Sequence, residues 1–301
     1  MTGLSDRALA HLRDVADWPD LGERYEVTGR LGRGGTGVVF AARDRVLARD
    51  VAVKVVDAHA SGEEALRRLE REARVLARLE HPGVVPVHDA GRLPDGRWFY
   101  AMKLVRGERL DRALSRAPSV GERLALVLRV ADAVSFAHAA GIVHCDLTPA
   151  NVMVGTFGEV LVMDWGAAVV MTDDAGASGL VVGTPGFMPP EQASGAAGTL
   201  DPRADVYGLG ALLRAVIPDP VPRPLAAIIA RATAPDAADR YQAVAALAAD
   251  LVRFRDGARV AAYRESWREH LARVYRRYRV PIWLVAAYVL MRVALLLWFG
   301  R

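Results

Sequence analysis

The sequence contains a single cysteine, Cys145, among its 301 residues. One thiol excludes an intrachain disulfide and any zinc site built from several cysteines, and it fits a reducing compartment. The first twenty residues are interrupted by acidic and basic side chains, so they lack the apolar core that a secretory signal requires. We therefore expect residues 1–256 to lie in the cytoplasm.

A strong excess of one charge and internal repeats are also missing. The formal net charge is only +4, with 25% charged and 52% hydrophobic residues, which is typical of a globular protein and excludes a disordered chain. Much of the arginine excess lies between Arg253 and Arg279, beside an apolar run. That position favours contact with a membrane surface, and we predict no nucleic-acid partner.

The hydrophobic pattern predicts a small β-rich part followed by a larger helical part. Three β-forming runs lie between residues 25 and 56, and two more between residues 81 and 105. Apolar residues at intervals of three and four predict helices over residues 5–17, 62–80 and 120–140. The length fits two domains or two lobes of one domain.

A glycine cluster separates the first two predicted strands. Gly32, Gly34 and Gly37 form a GxGxxG pattern, which alone is weak because an ordinary flexible hairpin can contain it. β-forming runs on both sides argue against the strand-to-helix turn of a dinucleotide-binding fold. They predict a hairpin lying over a phosphate chain, where close backbone approach leaves no room for a Cβ.

Lys54 lies among valines on the next predicted strand, in the run VAVK. Glu72, in the following predicted helix, could hold this ammonium group so that it points at the phosphates of a nucleotide. Glu70 is the rival partner. Ordinary solvent-exposed charge remains the alternative for all three side chains.

The run HCDLTPANVMV, residues 144–154, carries Asp146 and Asn151, and Asp164 follows in MDWG. Two carboxylates and an amide suit a magnesium nucleotide site, in which one carboxylate accepts the proton of a substrate hydroxyl and other oxygens ligate the metal. Each residue alone could belong to a turn. Their order after the glycine hairpin, the lysine and the glutamate makes chance a poor explanation.

Together these motifs resemble the protein kinase superfamily, specifically the bacterial serine/threonine kinases of eukaryotic type, over about residues 25–256. The resemblance implies an α+β, bilobal kinase fold with an N-lobe over 25–105 and a C-lobe over 106–256, after an N-terminal extension over 1–24. It also implies ATP and Mg²⁺ as cofactors. The implied substrates are serine and threonine hydroxyls of proteins, with autophosphorylation included.

The resemblance also implies roles for individual residues. The implied catalytic residues are Lys54, Glu72, Asp146, Thr148 and Thr184. The implied magnesium ligands are Asn151 and Asp164. The implied nucleotide-binding residues are Leu31, Gly32, Arg33, Gly34, Gly35, Thr36, Gly37, Val38, Val39, Ala52, Lys54, Met102, Lys103, Val105 and Met153. Met102 would lie at the back of the adenine pocket, and residues 103–105 would form the hinge.

Structural support is implied for three further residues. Glu191, at the end of GTPGFMPPE, would pair with Arg240, and Asp205 would brace the loop that carries Asp146.

Cys145 departs from the family pattern, which has an arginine there that pairs with phosphate on the activation segment. We therefore expect activity that does not depend on phosphorylation of hydroxyls such as Thr172 and Ser178. Trp165 replaces the commoner phenylalanine, and we interpret it as a packing variant.

The stretch between Asp205 and Arg240 is short, and prolines occupy positions 218, 220, 222 and 224. Because these prolines forbid a regular helix, the helix that commonly docks protein substrates is expected to be missing. These departures favour an alternative function, a weakly active or inactive nucleotide-binding adaptor at a membrane.

Residues 280–299 form an apolar run of 20 positions with one charge, Arg292. This length suits a transmembrane helix, preceded by a basic juxtamembrane segment over 257–279. Nine arginines from Arg253 to Arg279 precede the run and only Arg301 follows it, so the kinase lobe is expected at the cytoplasmic face of the inner membrane. We expect a single pass with the lipid bilayer as partner and no sensor domain beyond it. The alternative is an amphipathic or oligomerisation helix, and a homodimer is left open.

Thr148 occupies the position where the family generally has a lysine that contacts the γ-phosphate, so we expect a slow enzyme. We predict that Thr148→Lys raises turnover, by up to about a hundredfold, since such contacts with developing charge are worth roughly 3 kcal/mol. Steady-state transfer from ATP to an acceptor measures this effect. An unchanged turnover would mean that the position is structural or that another cation substitutes.

Overall fold

The computed structural model describes residues 18–34, 37–56, 63–116, 119–171, 183–195 and 200–299. The helix predicted over 5–17 lies outside these ranges, as do Gly35, Thr36, Thr172 and Ser178.

The N-terminal part folds into one antiparallel sheet with the strand order β1-β2-β3-β5-β4. Its strands are β1 (Tyr25–Gly34), β2 (Gly37–Asp44), β3 (Arg49–Val55), β4 (Val87–Arg92) and β5 (Trp98–Lys103). The cross-strand register aligns Val39 with Lys54 and Lys54 with Tyr100. Because directly paired residues of neighbouring strands point to the same face of a sheet, this register places Val39, Lys54 and Tyr100 on one face.

The helix predicted over 62–80 is observed as α1 (Glu63–Arg78). Its apolar side is fully buried, with Leu69, Ala73 and Leu76 at the helical spacing that places them on one face. This face packs into the same core as Ala52 and Tyr100 of the sheet. The packing fixes the side of α1 that carries Glu72 towards β3.

The C-terminal part is mainly helical, as predicted. Its short elements are β6 (Gly107–Arg109), α2 (Leu110–Ala113), β7 (Ile142–Val143), β8 (Val152–Gly155), β9 (Val160–Val162), β10 (Val169–Val170) and α4 (Pro190–Ala193). Its longer helices are α3 (Val120–Ala139), α5 (Arg203–Val216), α6 (Arg223–Ala232), α7 (Val244–Arg255) and α8 (Trp267–Phe299). Helix α3 starts at a reciprocal cap between Ser119 and Glu122 and forms the centre of the C-terminal core.

Short antiparallel pairings shape the loops of this part. Strands β6, β8 and β9 form a three-stranded sheet, and β7 pairs with β10. The connection from β7 to β8 carries residues 144–151, and the connection from β9 to β10 carries residues 163–168. Both polar motifs of the sequence therefore lie in loops that neighbouring strands hold at each end.

The proline-rich stretch after α5 is irregular over residues 218–222, as predicted. Pro224 does not break a helix, however, because it lies in the first turn of α6, where a missing N–H leaves no hydrogen bond unmade. The expectation for this one proline was wrong. Within residues 200–240, which are all described, α6 is the only helix between α5 and Arg240.

Helix α8 is kinked at Tyr278, where φ is −109° and ψ is 15°. Pro281 follows three residues later, and a proline both lacks the N–H and clashes with the preceding turn, which accounts for the kink. The candidate span Tyr278–Trp298 contains an 18-residue stretch with a mean hydropathy of 2.2, which is not buried against the rest of the described chain. By length and composition it could cross a membrane.

Candidate active site

Lys54 and Glu72 form a buried ion pair between β3 and α1. Lys54 Nζ donates hydrogen bonds to Glu72 Oε1 at 2.7 Å and Oε2 at 2.8 Å. Only 6% of Lys54 and 1% of Glu72 are exposed, which excludes the interpretation of both as surface charges. Glu70 pairs with Arg74 on the helix surface instead. The structure therefore selects Glu72 as the partner.

Tyr100, which the sequence reasoning missed, completes this cluster. Its hydroxyl donates a hydrogen bond to Glu72 Oε1 at 2.9 Å, and its side chain is almost wholly buried. The signal that could have found it is the pairing of β3 with β5, which aligns Tyr100 with Lys54. That pairing joins segments far apart in the sequence.

Asp164 faces the same ammonium group, with Oδ1 3.5 Å from Lys54 Nζ. Burial alone would lower the pKa of Lys54, but Glu72 and Asp164 outweigh burial and hold this pKa above its ordinary value. Burial would raise the pKa of Asp164, whereas the Lys54 ammonium group holds it below its ordinary value. Both groups are therefore charged at neutral pH, as a phosphate-binding cation and a metal-binding carboxylate must be.

Asp146 is held at both carboxylate oxygens. Thr184 donates to Oδ1 from its backbone N at 2.9 Å and from its hydroxyl at 2.8 Å. Asn151 Nδ2 donates to Asp146 Oδ2 at 2.9 Å and to the Asp146 carbonyl at 2.8 Å. Residues from two separate motifs thus meet at Asp146, and the amide oxygen of Asn151 is left as the acceptor.

Asp205, on α5, braces the loop before Asp146, as the resemblance implied. Its buried carboxylate accepts hydrogen bonds from the backbone N of His144 and of Cys145, both at 2.8 Å. It also lies 2.7 Å from Nε2 of His138. These contacts hold Cys145 at a left-handed φ of 66°, a backbone conformation that is uncommon outside glycine.

His144 connects the loop of Asp146 to the strand end before Asp164. Nδ1 accepts a hydrogen bond from the Asp146 N at 3.2 Å, which leaves Nε2 to donate to the Met163 carbonyl at 3.1 Å. Its ring packs against Trp165 with centroids 4.5 Å apart. Trp165 is buried and donates from Nε1 to the Val162 carbonyl at 3.3 Å, which agrees with its interpretation as a packing variant.

Two departures from the family pattern are buried. Cys145 is 7% exposed, and burial raises the pKa of its thiol far above the ordinary value, so the side chain stays neutral. A thiol, unlike the guanidinium group of an arginine, offers no positive charge to a phosphate. Thr148 is 3% exposed. Glu191 and Arg240 form the expected pair, with Nη1–Oε1 and Nη2–Oε2 distances of 2.6 and 2.8 Å.

The glycine hairpin is formed by β1 and β2, with Gly34 opposite Gly37. A Cβ on Gly37 would lie 2.2 Å from the Val55 carbonyl oxygen, so the third glycine is required by the close approach of β3. Gly32 has open space around it, which leaves room for a ligand. Among the other predicted nucleotide-binding residues, Ala52 and Met102 are cross-strand neighbours.

The donors present fit a nucleotide-bound magnesium ion. Among the residues that the structure describes, no cluster of three or more histidine, cysteine or acidic side chains could hold a metal alone. Asp164 supplies a carboxylate and Asn151 an amide oxygen, both hard ligands that Mg²⁺ accepts, and this ion usually takes its remaining ligands from phosphates and water.

Comparison with known proteins agrees with this geometry. Residues 25–229 match the family model for the protein kinase domain. The chain is 43% identical over 199 residues to the DNA damage-responsive serine/threonine-protein kinase RqkA of Deinococcus radiodurans, covering 64% of this chain and 29% of RqkA. It is 34% identical over 306 residues to the serine/threonine-protein kinase PknL of Mycobacterium bovis, covering 89% of this chain and 76% of PknL.

A solved structure, the kinase domain of PknI from Mycobacterium tuberculosis, superposes with a TM-score of 0.60 at 28% identity, over 78% of this chain and 97% of that one. The chain belongs to the protein kinase family. Its curated relatives carry the names of bacterial serine/threonine kinases, so the predicted resemblance and the bilobal kinase fold are confirmed. The chain spans about a third of RqkA and of pkn3 from Myxococcus xanthus, at 29% and 37% of their lengths.

We predict that Tyr100→Phe weakens the site without abolishing the fold. Glu72 loses a donor, which should lower the free energy of unfolding by about 1–2 kcal/mol and reduce kcat about threefold to tenfold. Urea denaturation and steady-state kinetics measure both. Tyr25→Phe is the matched control, because it removes a tyrosine–carboxylate bond to Asp89 outside the site. Equal loss of kcat in the two variants would contradict a role for Tyr100 in the site.

Proposed function

We propose that this chain is an ATP- and Mg²⁺-dependent serine/threonine protein kinase, attached to the cytoplasmic face of a membrane through the apolar part of α8. The observation that carries the proposal is the assembly of Lys54, Glu72 and Asp164 in one cluster, with Asp146 positioned by Asn151 and Thr184. Apart from Asp146 and Asn151, which share the run of residues 144–154, these side chains come from separate motifs. Their convergence is what phosphoryl transfer requires, because that reaction depends on positioning and charge stabilisation.

Each residue of the site would have a separate role in phosphoryl transfer. Lys54, held by Glu72, would bind the α- and β-phosphates, while Asp164 and the Asn151 amide oxygen would hold magnesium. That ion would neutralise charge on the phosphates. Asp146 would orient the acceptor hydroxyl and take its proton as the new O–P bond forms and the bond to ADP breaks. The two Thr184 bonds keep the carboxylate in one orientation.

Serine and threonine are the acceptors that we propose, since the curated relatives are named serine/threonine kinases. The alternative of an inactive adaptor has no support, because the buried departures at Cys145 and Thr148 leave the remaining cluster assembled. Thr148 still argues for a slow reaction, as its side chain brings no charge.

The layout that we propose follows the sequence boundaries: an N-terminal extension over 1–24, a kinase domain over 25–256, a basic juxtamembrane segment over 257–279 and a transmembrane helix over 280–299. The exposed apolar surface of Tyr278–Trp298 supports a transmembrane helix, since exposure of so much apolar surface to water is unfavourable. The arginines before it support a cytoplasmic kinase lobe. Protein substrates and the lipid bilayer are the partners implied.

Transfer is tested with γ-labelled ATP and magnesium on the full chain in lipid nanodiscs, following autophosphorylation and a basic serine-containing acceptor. We predict that Asp146→Asn lowers incorporation by at least about a hundredfold, as expected when a general base is lost. Asp256→Asn, an exposed carboxylate at the end of α7, should keep the wild-type rate. Absence of incorporation in every protein, despite nucleotide binding, would overturn the kinase proposal.

Attachment is tested by alkaline extraction of membranes from cells that express the chain. We predict that the wild-type chain stays in the membrane fraction, whereas the double variant Val289→Asp/Leu290→Lys is extracted. Two charges near the centre of a span cost roughly 5–7 kcal/mol, more than this helix gains from its apolar residues. Leu271→Asp, outside the apolar segment, serves as the control. Extraction of the wild-type chain would contradict the transmembrane helix.

A further inference from the structure

Asp250, on α7, is a wholly buried carboxylate outside the active site. Its Oδ1 accepts hydrogen bonds from Arg253 Nη1 at 2.7 Å and from the Ala261 backbone N at 2.9 Å. Its Oδ2 accepts from the Tyr241 hydroxyl at 2.9 Å and from the Ala262 backbone N at 3.0 Å. We call this set of four bonds the Asp250 clasp. Two of its donors belong to residues 257–266, the connector between α7 and α8.

The clasp is fully satisfied, which is what a buried carboxylate needs in order to remain charged. Burial alone would raise the pKa of Asp250, but the hydrogen bonds, led by that of Ala261, hold it below its ordinary value. Beside the clasp, Val260 of the connector is 2% exposed and belongs to the main core of the C-terminal part. The first half of the connector is therefore packed on the kinase lobe.

The second half of the connector is tied to the start of α8. Ser266 caps this helix through a reciprocal pair of bonds with Glu269. Glu269 also accepts a hydrogen bond from the Tyr263 hydroxyl at 2.9 Å and lies 3.8 Å from Arg223 of α6. Arg273 makes a two-pronged ion pair with Glu265. Contacts therefore run from the lobe, through the connector, into α8.

Little chain remains between these contacts and the apolar segment. Residues 267–277 are helical and span about 16 Å, and Tyr278 begins the apolar stretch. A flexible linker would let the lobe sample a broad range of distances and orientations. A helix whose start is fixed on the lobe restricts both.

We propose that the Asp250 clasp makes the membrane attachment rigid, so that the kinase acts on hydroxyls at a fixed height above the bilayer. The substrates are then membrane-proximal segments of proteins in the same membrane, a second copy of this chain included. The inference rests on the kinase activity and the membrane attachment proposed above.

Rigidity is tested by electron–electron distance measurements on the full chain in nanodiscs. Spin labels are attached to Ala246→Cys on α7 and Leu271→Cys on α8, both exposed, while the native Cys145 is buried. We expect a narrow distance distribution for the wild type and for Asp256→Asn, and a distribution at least twice as broad for Asp250→Asn. A broad distribution in the wild type would overturn the rigid attachment whatever the activity.

A second variant covers the case in which Asp250→Asn does not fold. Six Gly and Ser residues inserted between Tyr263 and Arg264 leave the clasp and the Ser266 cap in place but separate them. We expect this insertion to broaden the distribution as well. An insertion variant as narrow as the wild type would mean that other contacts fix α8, and would contradict the role of the connector.

Substrate reach is tested with one basic serine peptide, anchored to the nanodisc through spacers of increasing length or added free in solution. We expect the wild-type rate to peak at one spacer length, at least tenfold above the free peptide at equal concentration. The insertion variant should show a flat dependence on spacer length. A flat dependence in the wild type, with measurable transfer, would overturn the substrate class alone. Absence of transfer to every acceptor would instead overturn the kinase activity, and the distance measurements would still stand.

Discussion

The buried pair between Lys54 and Glu72 is the interaction on which the catalytic architecture depends. Two opposite charges removed from water are stable only if each finds partners of good geometry, and the loss of one leaves the other unpaired in the interior. Here the carboxylate receives the ammonium group at both oxygens and a third bond from Tyr100. Helix α1 can supply this carboxylate only when its apolar face is packed on the sheet. The pair therefore links the position of a helix to the chemistry of the cleft.

A second buried carboxylate plays the corresponding part in the C-terminal half. Asp205 binds the backbone of His144 and Cys145, and His144 in turn bonds Asp146 and Met163. The loop that carries Asp146 and the strand end before Asp164 are thus held in place by one hydrogen-bond network. Replacement of the family arginine by Cys145 alters only a side chain, whereas Asp205 holds this loop through hydrogen bonds from backbone N atoms. That is why the departure leaves the loop intact.

The sequence allowed the prediction of most site residues because their motifs are local. Gly32 to Gly37, Lys54 and the run from Asp146 to Asn151 each occupy one short segment, and their order along the chain predicts the fold. Residues whose role depends on contacts between distant segments could not be predicted from the sequence. Tyr100 needed the register of β3 and β5, and Asp250 needed the return of the connector onto α7. Pro224 shows that a local rule can also mislead. Proline was expected to exclude a helix, but it is tolerated in the first turn of α6.

The contact of Gly37 with the Val55 carbonyl has a mechanical meaning. Lys54 precedes Val55 in the same strand. The hairpin that would cover the phosphates therefore packs directly against the strand that carries the lysine that would bind them. A displacement of the hairpin must either move β3 with it or break the pairing between β2 and β3. A nucleotide that shifts the glycine hairpin would therefore also shift Lys54, because the pairing of β2 with β3 joins the two.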